Sequence, residues 1–356
     1  MSAVDSREVR RRSPVPASDT ATVVSRLAGR WEALRDARVF VTGGTGFVGT
    51  WLLAALCAAD RTFALNLRVI VLTRDPDRFA RRAPELAGHT AIELLQGDVR
   101  DFAWPRGALS HVVHGAASSE AALATVRPAD VREIIVDGTR RVLELCRRRS
   151  VRRLLALSSG AVYERPSPPG RPLAEDDPLG PTELVDDAWA YHRAKRSMEA
   201  LVRSQCGDAV APIARLFAFV GPGLPLGGHF AAGNFVADAR RGGPVVVNGD
   251  GAPVRTYLYA ADMAAWLVAA LVDGLPGRAY NVGAERAVSI AEVARLVAAA
   301  ARVPVEIRGG EVGSGGGGEF YVPDTRRARS ELGVAEWTSL DVAIDRWLSW
   351  ERSETA

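Results

Sequence analysis

The chain has 356 residues, of which 47% are hydrophobic, so it can form one large or two unequal domains with a full apolar core. Its net charge is only +3, and its arginines are interleaved with acidic residues, so the charge gives no support for a nucleic-acid partner. The longest apolar runs, such as residues 263–272, have about half of the ~20 residues that a membrane span requires, so no membrane partner is expected.

The N-terminal residues 1–36 are expected to form an extension that is partly disordered and contains one helix. Three arginines stand at positions 10–12, but no apolar stretch follows them, so no export signal is readable. The three cysteines are far apart and lack histidine partners, which argues against a disulfide framework and against a metal site. A cytoplasmic location is the resulting expectation.

From residue 38 onward, short runs rich in β-branched residues alternate with longer helical patterns. Strands are expected at 38–42, 68–73, 91–96, 111–114, 152–159 and 212–217. Helices are expected from about Phe47, through 132–148 and around 187–205. This alternation predicts an α/β fold, in which a Rossmann-type, doubly wound parallel sheet carries helices on both faces.

The alternation of strands and helices ends after about residue 218, where loops rich in Gly and Pro begin. We therefore expect the sheet domain at 37–220, with residues 278–285 as a candidate for a returning strand. Residues 221–350 are expected to form mainly a smaller C-terminal lobe over the edge of the sheet. Within this lobe, the glycine-rich residues 309–318 indicate a flexible loop.

The stretch VFVTGGTGFVGTWLLAAL places Gly43, Gly46 and Gly49 between the first strand and the first long helix. Glycines in this context let the backbone approach a pyrophosphate, whose negative charge the exposed amides at the helix N-terminus receive. The sheet domain is therefore expected to bind NAD(P), with Phe47 and Val48 next to the glycines in the cofactor site.

The end of the second strand discriminates between NAD and NADP. An NAD enzyme presents a carboxylate to the ribose 2'-hydroxyl there, whereas this chain has Arg74. A guanidinium can bind a 2'-phosphate through several donors, so NADP(H) is favoured over NAD(H). Asp75, the adjacent residue, is the observation against this preference. Asp98 and Val99 follow the third strand, where Asp98 can reach the adenine. Ala116 follows the fourth strand in a run of small residues that would let the cofactor lie close.

Lys195 is the only lysine of the chain, which has 45 Lys plus Arg. It lies four residues after Tyr191, so both side chains are expected on one face of a helix. A nearby ammonium favours the phenolate of a tyrosine, whose ordinary pKa of ~10 suits acid-base catalysis poorly. The compact lysine head can also hold ribose hydroxyls. Ser159, at the end of the fifth strand, supplies a hydroxyl for a substrate carbonyl or alkoxide.

The motifs TGGTGFVG, DV, HGAA, SSGAVY and YHRAK, within a chain segment of about 38 to 350, resemble those of extended short-chain dehydrogenase/reductases. In particular, they resemble the NAD-dependent epimerase/dehydratase family acting on nucleotide sugars. The resemblance implies that Tyr191 donates or accepts the proton, that Lys195 orients the nicotinamide ribose, and that Ser159 polarises the reacting oxygen. It also implies a homodimer formed through two long helices, at about 128–149 and 187–205, whose apolar stripes would pack as a four-helix bundle.

The C-terminal lobe is similar to the substrate lobe of nucleotide-sugar enzymes. In this resemblance Arg255 meets the diphosphate, the region of Asn248 meets the base, and Asn234 contacts the diphosphate. Tyr321 belongs to a segment that is similar to the family's ending. These four residues and Ser159 are the expected substrate-binding residues.

Three departures from the family pattern restrict the reaction. Gly160 and Ala161 stand where sugar-nucleotide 4,6-dehydratases carry an Asp-Glu pair, which argues against elimination of water. Ala218 replaces an Asn that is common in epimerases. The loop 309–318 has no clear equivalent of the family's nucleotide-binding arginine.

Two reactions remain open on these grounds. One is NAD(P)-dependent reduction of a 4-keto-6-deoxy nucleotide sugar at C4, with Tyr191 as the proton donor, and Arg74 favours it. The other is 4-epimerisation of a nucleotide sugar with retained NAD. A third possibility, from another class, is a catalytically silent NADP(H)-binding regulatory protein, although the complete set of Ser159, Tyr191 and Lys195 argues against it.

Overall fold

The computed structural model describes residues 13–116, 127–163, 170–180, 189–228, 230–309 and 319–353. Two expectations, disorder near the N-terminus and a flexible loop, fall mainly outside these residues, at positions 1–12 and 310–318. None of the described helices is long and apolar enough to cross a membrane.

The elements follow the order that the sequence patterns indicate. The strands are β1 (Arg38–Thr42), β2 (Arg68–Thr73), β3 (Ile92–Gln96), β4 (His111–His114), β5 (Arg153–Ser159), β6 (Ile213–Leu216), β7 (Phe219–Val220), β8 (Val245–Val247), β9 (Val254–Arg255), β10 (Leu258–Tyr259), β11 (Ala279–Val282), β12 (Val288–Ser289) and β13 (Val305–Ile307). The α-helices are α1 (Ala17–Arg26), α2 (Phe47–Phe63), α3 (Pro76–Arg82), α4 (Pro84–Ala87), α5 (Pro128–Arg132), α6 (Gly138–Arg148), α7 (Ala190–Gln205), α8 (Ala231–Arg240), α9 (Ala260–Asp273), α10 (Ile290–Ala301), α11 (Arg326–Leu332) and α12 (Leu340–Ser353).

The core is a seven-stranded parallel sheet with the order β11-β6-β5-β4-β1-β2-β3. The inner strands are nearly continuous apolar runs because helices cover both faces of the sheet. The order reverses between β1 and β4, and such a switch point at the carboxyl ends of the strands is where these sheets bind ligands. The predicted doubly wound α/β fold is confirmed.

The edge of the sheet beyond β6 is formed by β11, whose Ala279 lies opposite Ile213. The second lobe adds three pairs of short strands, β7-β10, β9-β12 and β8-β13. The pair β8-β13 is parallel, with Val247 opposite Ile307, so the residues that follow these two strands emerge at the same edge.

The segment that precedes β1 is part of the folded core. Helix α1 packs against α2 and α9. The Asp19 side chain is buried and accepts hydrogen bonds from the Tyr259 hydroxyl at 2.5 Å and from Arg346 at 2.9 Å. Arg26 pairs with the buried carboxylate of Asp262 at 2.6 Å. These contacts tie the segment to residues that lie 236 to 327 positions later in the chain.

Residues 128–148 form one continuous helical stretch rather than a regular α-helix. A π-helical turn, Glu133–Asp137, lies between α5 and α6. Single π-helical turns inside helices often occur at functional sites, and Ile134 in this turn borders the cavity described below.

Candidate active site

The glycine loop between β1 and α2 is packed so closely that its first and last glycines leave no room for a side chain. Gly43 has φ +73°, and a Cβ at this position would lie 2.2 Å from the Gly115 carbonyl oxygen. A Cβ at Gly49 would lie 2.4 Å from the Gly43 carbonyl oxygen. The first glycine therefore allows the tight turn next to β4, and the last allows α2 to lie against the loop.

A cavity of about 360 Å³ opens beside this loop, at the carboxyl ends of β2, β3 and β4. Six of the expected cofactor residues border it, namely Gly43, Gly46, Arg74, Asp98, Val99 and Ala116. Phe47 and Val48 begin α2 and pack against the hydrophobic core instead. A glycine-rich backbone cradle at the N-terminus of a helix fits a dinucleotide pyrophosphate.

Two further arginines, which the sequence did not lead us to expect, stand in the wall of this cavity. Arg78 and Arg82 follow Arg74 at intervals of four residues, the last two of them in or at the end of α3. Arg82 donates to the Thr45 carbonyl oxygen and, at 3.1 Å, to the Thr50 hydroxyl. Burial, followed by repulsion from Arg78, lowers the pKa of Arg82. The four-residue spacing was the signal that could have revealed this group.

Two carboxylates near the three arginines, Asp75 and Asp98, are already engaged. Asp75 caps α3 by accepting a hydrogen bond from the Arg78 backbone N–H at 2.8 Å. Asp98 accepts a side-chain hydrogen bond from Arg100 at 2.7 Å, which lowers the pKa of Asp98 below its ordinary value. Arg74 itself is exposed.

Ser159 ends β5, at the same edge of the sheet. Its hydroxyl oxygen accepts a hydrogen bond from the Ala161 backbone N–H at 3.1 Å, so the side chain caps a 3-10 turn, Gly160–Val162. The two residues that follow Ser159 carry no carboxylate, which the sequence had shown to be a departure from dehydratases.

Helix α7 places Lys195 against β5. The lysine side chain is only 4% exposed, and its ammonium donates to the Leu157 carbonyl oxygen at 2.9 Å, two residues before Ser159. The Lys195 nitrogen lies 5.8 Å from the centre of the half-buried Tyr191 ring. Burial lowers the pKa of Lys195 to about 8, and the carboxylate of Glu199 opposes this shift. The structure thus places the expected tyrosine and lysine on the helix that packs beside the serine strand.

A buried polar network behind these residues was not anticipated. Glu199 is fully buried and accepts hydrogen bonds from Arg215 at 2.8 and 3.0 Å and from the Ser158 hydroxyl at 2.7 Å. Burial alone would raise the pKa of Glu199, but the bonds from Arg215 lower it below its ordinary value. Arg215 also donates to the Tyr163 hydroxyl at 3.0 Å. The network fixes α7 to β5, β6 and the turn after Ser159.

His114, in the HGAA motif, lies on the other side of Lys195. Its two ring nitrogens are 2.9 Å from the Thr42 hydroxyl and 3.0 Å from the Thr139 hydroxyl. Complete burial, followed by the positive charge of Lys195, lowers the pKa of His114 to about 3, so this imidazole is neutral near pH 7. It connects β1 with α6 close to Lys195.

A second cavity, of about 620 Å³, lies in the C-terminal lobe. Asn234 and Asn248, both expected to bind substrate, border it together with Arg308. Asn234 donates to the Gly228 carbonyl oxygen at 2.9 Å. Arg308 follows β13 just as Asn248 follows β8, and this parallel pairing brings the two residues to one edge.

Arg255 does not itself border the second cavity, but Pro253, two residues before it, does. Its guanidinium pairs with Glu319 at 2.6 Å and lies 5.7 Å from the centre of the Tyr321 ring. The sequence offered no signal for this ion pair, which spans 64 residues. The charge that we expected to meet a substrate diphosphate is thus balanced by a carboxylate of the chain itself.

Residues 39–283 match the model of the NAD dependent epimerase/dehydratase family. UDP-glucuronic acid decarboxylase 1 of Xenopus tropicalis is 26% identical over 332 residues, which cover 89% of this chain and 72% of the relative. An epimerase structure from Methanothermobacter thermautotrophicus superposes with a TM-score of 0.76 and 21% identity, over 93% of this chain and 97% of the other. MoeE5 in complex with UDP-glucuronic acid and NAD superposes with a TM-score of 0.71 and 23% identity, over 89% and 100%.

The fold and the glycine-lined cavity define a dinucleotide-binding enzyme of the extended short-chain dehydrogenase/reductase type. Within that class, the chain belongs to the NAD-dependent epimerase/dehydratase family. The resemblance seen in the sequence motifs is confirmed.

Proposed function

We propose that the chain is an NAD(P)-dependent oxidoreductase that reduces the 4-keto group of a 4-keto-6-deoxy nucleotide sugar, with NADP(H) preferred over NAD(H). The observation that carries this proposal is the set of Arg74, Arg78 and Arg82 in the wall of the first cavity. Guanidinium groups bind phosphate through several charge-assisted hydrogen bonds. Three of them next to the cofactor cradle favour a 2'-phosphate and therefore a cofactor that is exchanged during reduction.

In the proposed reaction, one set of residues holds the cofactor and another acts on the 4-keto oxygen. The glycine loop holds the pyrophosphate of the dinucleotide, and Lys195 holds its nicotinamide ribose. The chemistry that a bound NADPH supplies is hydride transfer to C4 of the sugar. Ser159 donates a hydrogen bond to the 4-keto oxygen, and Tyr191 gives that oxygen a proton as charge develops on it. The ammonium of Lys195 favours the resulting phenolate.

The second cavity supplies the site for the nucleotide. Asn234 and Asn248 border it and offer amide donors and acceptors to the diphosphate and the base. Arg255 joins them in binding the diphosphate once substrate displaces Glu319 from its guanidinium. The names of the similar proteins, which include UDP-glucuronic acid decarboxylase and a complex with UDP-glucuronic acid, support a nucleotide sugar as the substrate class.

The first experiment identifies the nucleotide that co-purifies with the protein, by mass spectrometry of the denatured sample. Purified protein is then mixed with NADPH and dTDP-4-keto-6-deoxyglucose, and loss of absorbance at the NADPH band is followed. Reduction with an exchangeable NADP(H) supports the proposal. Tightly held NAD with interconversion of UDP-glucose and UDP-galactose identifies a 4-epimerase, and binding of NADPH without turnover of any sugar nucleotide, UDP-glucuronic acid included, identifies a regulatory protein.

We also propose a homodimer that pairs through α5, α6 and α7. Apolar stripes were expected on these helices, but most of their exposed large side chains are charged, including Arg132, Glu133, Arg140 and Arg148. Salt bridges would therefore contribute more to such an interface than apolar contacts, and added salt would weaken it. Light scattering at micromolar concentration tests this, and a monomer at low salt rules it out.

A further inference from the structure

Helix α7 holds the chain on both sides of Ser159 through two adjacent side chains. The Lys195 ammonium donates to the Leu157 carbonyl oxygen at 2.9 Å, two residues before the serine. The Arg196 guanidinium donates through Nε to the Val162 carbonyl oxygen at 2.8 Å, three residues after the serine. Both side chains are only 4% exposed, so both hydrogen bonds are shielded from water. The segment that carries Ser159 is thus fixed to the helix at both of its ends.

Gly180 leaves the space that the Arg196 guanidinium occupies. A Cβ at Gly180 would lie 2.2 Å from a terminal guanidinium nitrogen and 2.6 Å from the central carbon, closer than real Cβ atoms approach other atoms. The Gly180 backbone N–H also donates to the Val162 carbonyl oxygen, at 3.2 Å. This one carbonyl therefore receives two donors, and glycine at position 180 is the condition under which the guanidinium can lie beside it.

The carbonyl that Arg196 holds ends the 3-10 turn Gly160–Val162, and this turn sets the direction of the Ser159 hydroxyl. The Ala161 backbone N–H donates to the Ser159 hydroxyl oxygen at 3.1 Å, and the Tyr163 backbone N–H donates to the first carbonyl of the turn at 3.2 Å. A serine hydroxyl has one proton and two lone pairs. An amide that donates to its oxygen uses one lone pair, so the proton is left for an acceptor outside the turn.

We propose that Arg196 is a positioning residue, which holds the turn and thereby orients the Ser159 hydroxyl as a hydrogen-bond donor to the reacting oxygen; this inference rests on the proposed function of Ser159. Arg196 borders neither of the two cavities, so it acts through the turn and not on a bound molecule. A misplacement of about 1 Å in a reacting site can lower a rate about 100-fold, so loosening the turn impairs catalysis although the serine is still present.

The test removes the donors of Arg196 and measures both the turn and the turnover. Arg196→Met keeps a long apolar side chain, and Arg193→Met, at a half-buried position of the same helix, is the matched control. In hydrogen exchange followed by mass spectrometry, the amides of Ala161 and Tyr163 should exchange several-fold faster in Arg196→Met only. With NADPH and dTDP-4-keto-6-deoxyglucose, kcat should fall about 10- to 100-fold, while KM and the calorimetric affinity for NADPH stay within about 2-fold of wild type.

Gly180→Ala provides an independent variant, which decides the matter if Arg196→Met does not fold. Its methyl group would displace the guanidinium, so it should reproduce the fall in kcat, and should add little to that fall in an Arg196→Met background. Arg196→Lys, whose ammonium can donate to the same carbonyl, should regain part of the lost kcat. Wild-type kcat in folded Arg196→Met and Gly180→Ala would overturn the inference, as would an equal fall in Arg193→Met or an equal weakening of NADPH binding.

Failure of the proposed reaction gives a different result. If the wild type interconverts UDP-glucose and UDP-galactose instead, the reductase proposal fails and the same comparison of kcat is made on that reaction. If the wild type turns over no sugar nucleotide, hydrogen exchange decides whether Arg196 holds the turn. Faster exchange of the turn amides in Arg196→Met then supports this hold, and unchanged exchange overturns it.

Discussion

Replacing the single lysine by arginine tests whether catalysis needs this side chain itself or only its positive charge. Lys195→Arg keeps a positive charge on α7, but the lysine head is enclosed, with the Leu157 carbonyl oxygen at 2.9 Å and the Met198 sulfur at 4.0 Å. The longer, planar guanidinium cannot fit this space without moving either the β5 backbone or the Tyr191 ring. The variant should therefore lose the alignment of the tyrosine, the cofactor ribose and Ser159.

The effects of this variant on kcat and on Tm can both be estimated. General acid-base assistance and alignment each contribute factors of about 100 or more, so kcat should fall at least about 100-fold. Overpacking of a buried site costs about 1 to 3 kcal/mol. For a chain of 356 residues, with an unfolding entropy of about 2.1 cal/mol/K per residue, this corresponds to a Tm lower by roughly 1 to 4 °C.

The assay measures NADPH oxidation under saturating substrate, together with the Tm from circular dichroism. The reciprocal exchange Arg193→Lys on the same helix is the control, because Arg193 is only half-buried, and we expect it to keep full activity. A folded Lys195→Arg protein with wild-type kcat would refute the role assigned to Lys195.

Three further predictions concern the cofactor, the buried network and pH. Arg74→Ala should weaken NADPH binding by about 1.5 to 3 kcal/mol in calorimetry and leave NADH nearly unchanged, since only NADPH carries the 2'-phosphate. Glu199→Gln should lower the free energy of unfolding in urea by about 3 to 5 kcal/mol, because Arg215 is left buried without its counter-ion, whereas loss of the more exposed partner in Arg203→Gln should cost under about 1 kcal/mol. Initial rates should fall as the pH rises above about 8, because Lys195 then loses the proton that makes it an ammonium.

Each of these predictions can fail clearly. Equal losses for NADPH and NADH would contradict the role of Arg74, and equal stabilities of the two network variants would contradict the burial argument. The pH profile depends on the groups that face Lys195, which are Glu199 and Tyr191 from α7 and the neutral His114 from β4. A rate that is constant between pH 7 and 10 would show that the ammonium form is not required.

Local patterns predicted the fold because they depend on neighbours in the sequence. The six strands expected from β-branched runs are strands of the sheet, and Gly43 and Gly49 stand where backbone packing leaves no room for Cβ atoms. The four-residue spacing of Tyr191 and Lys195 placed both on one helix. In these cases, residues that are close in the sequence determine the helical period or the steric requirement of the turn.

Contacts between distant residues could not be predicted in the same way. Nothing in the sequence indicates that Arg255 pairs with Glu319, that Glu199 meets Arg215, or that the Tyr321 phenol lies against Gly160. Each of these contacts joins two segments that only the packing of the whole fold brings together. The surface of the proposed dimer helices could not be predicted either, since the apolar residues of α6 face their own core.

The binding of α1 by residues near the end of the chain has a consequence for biosynthesis. During translation the Asp19 carboxylate leaves the ribosome long before Arg346, its partner at 2.9 Å, has been made. Arg26 likewise waits for Asp262. Helix α1 can therefore complete its contacts only after nearly all of the chain has been synthesised, and the apolar α2 has to be kept from aggregating until α9, which packs against it, has emerged.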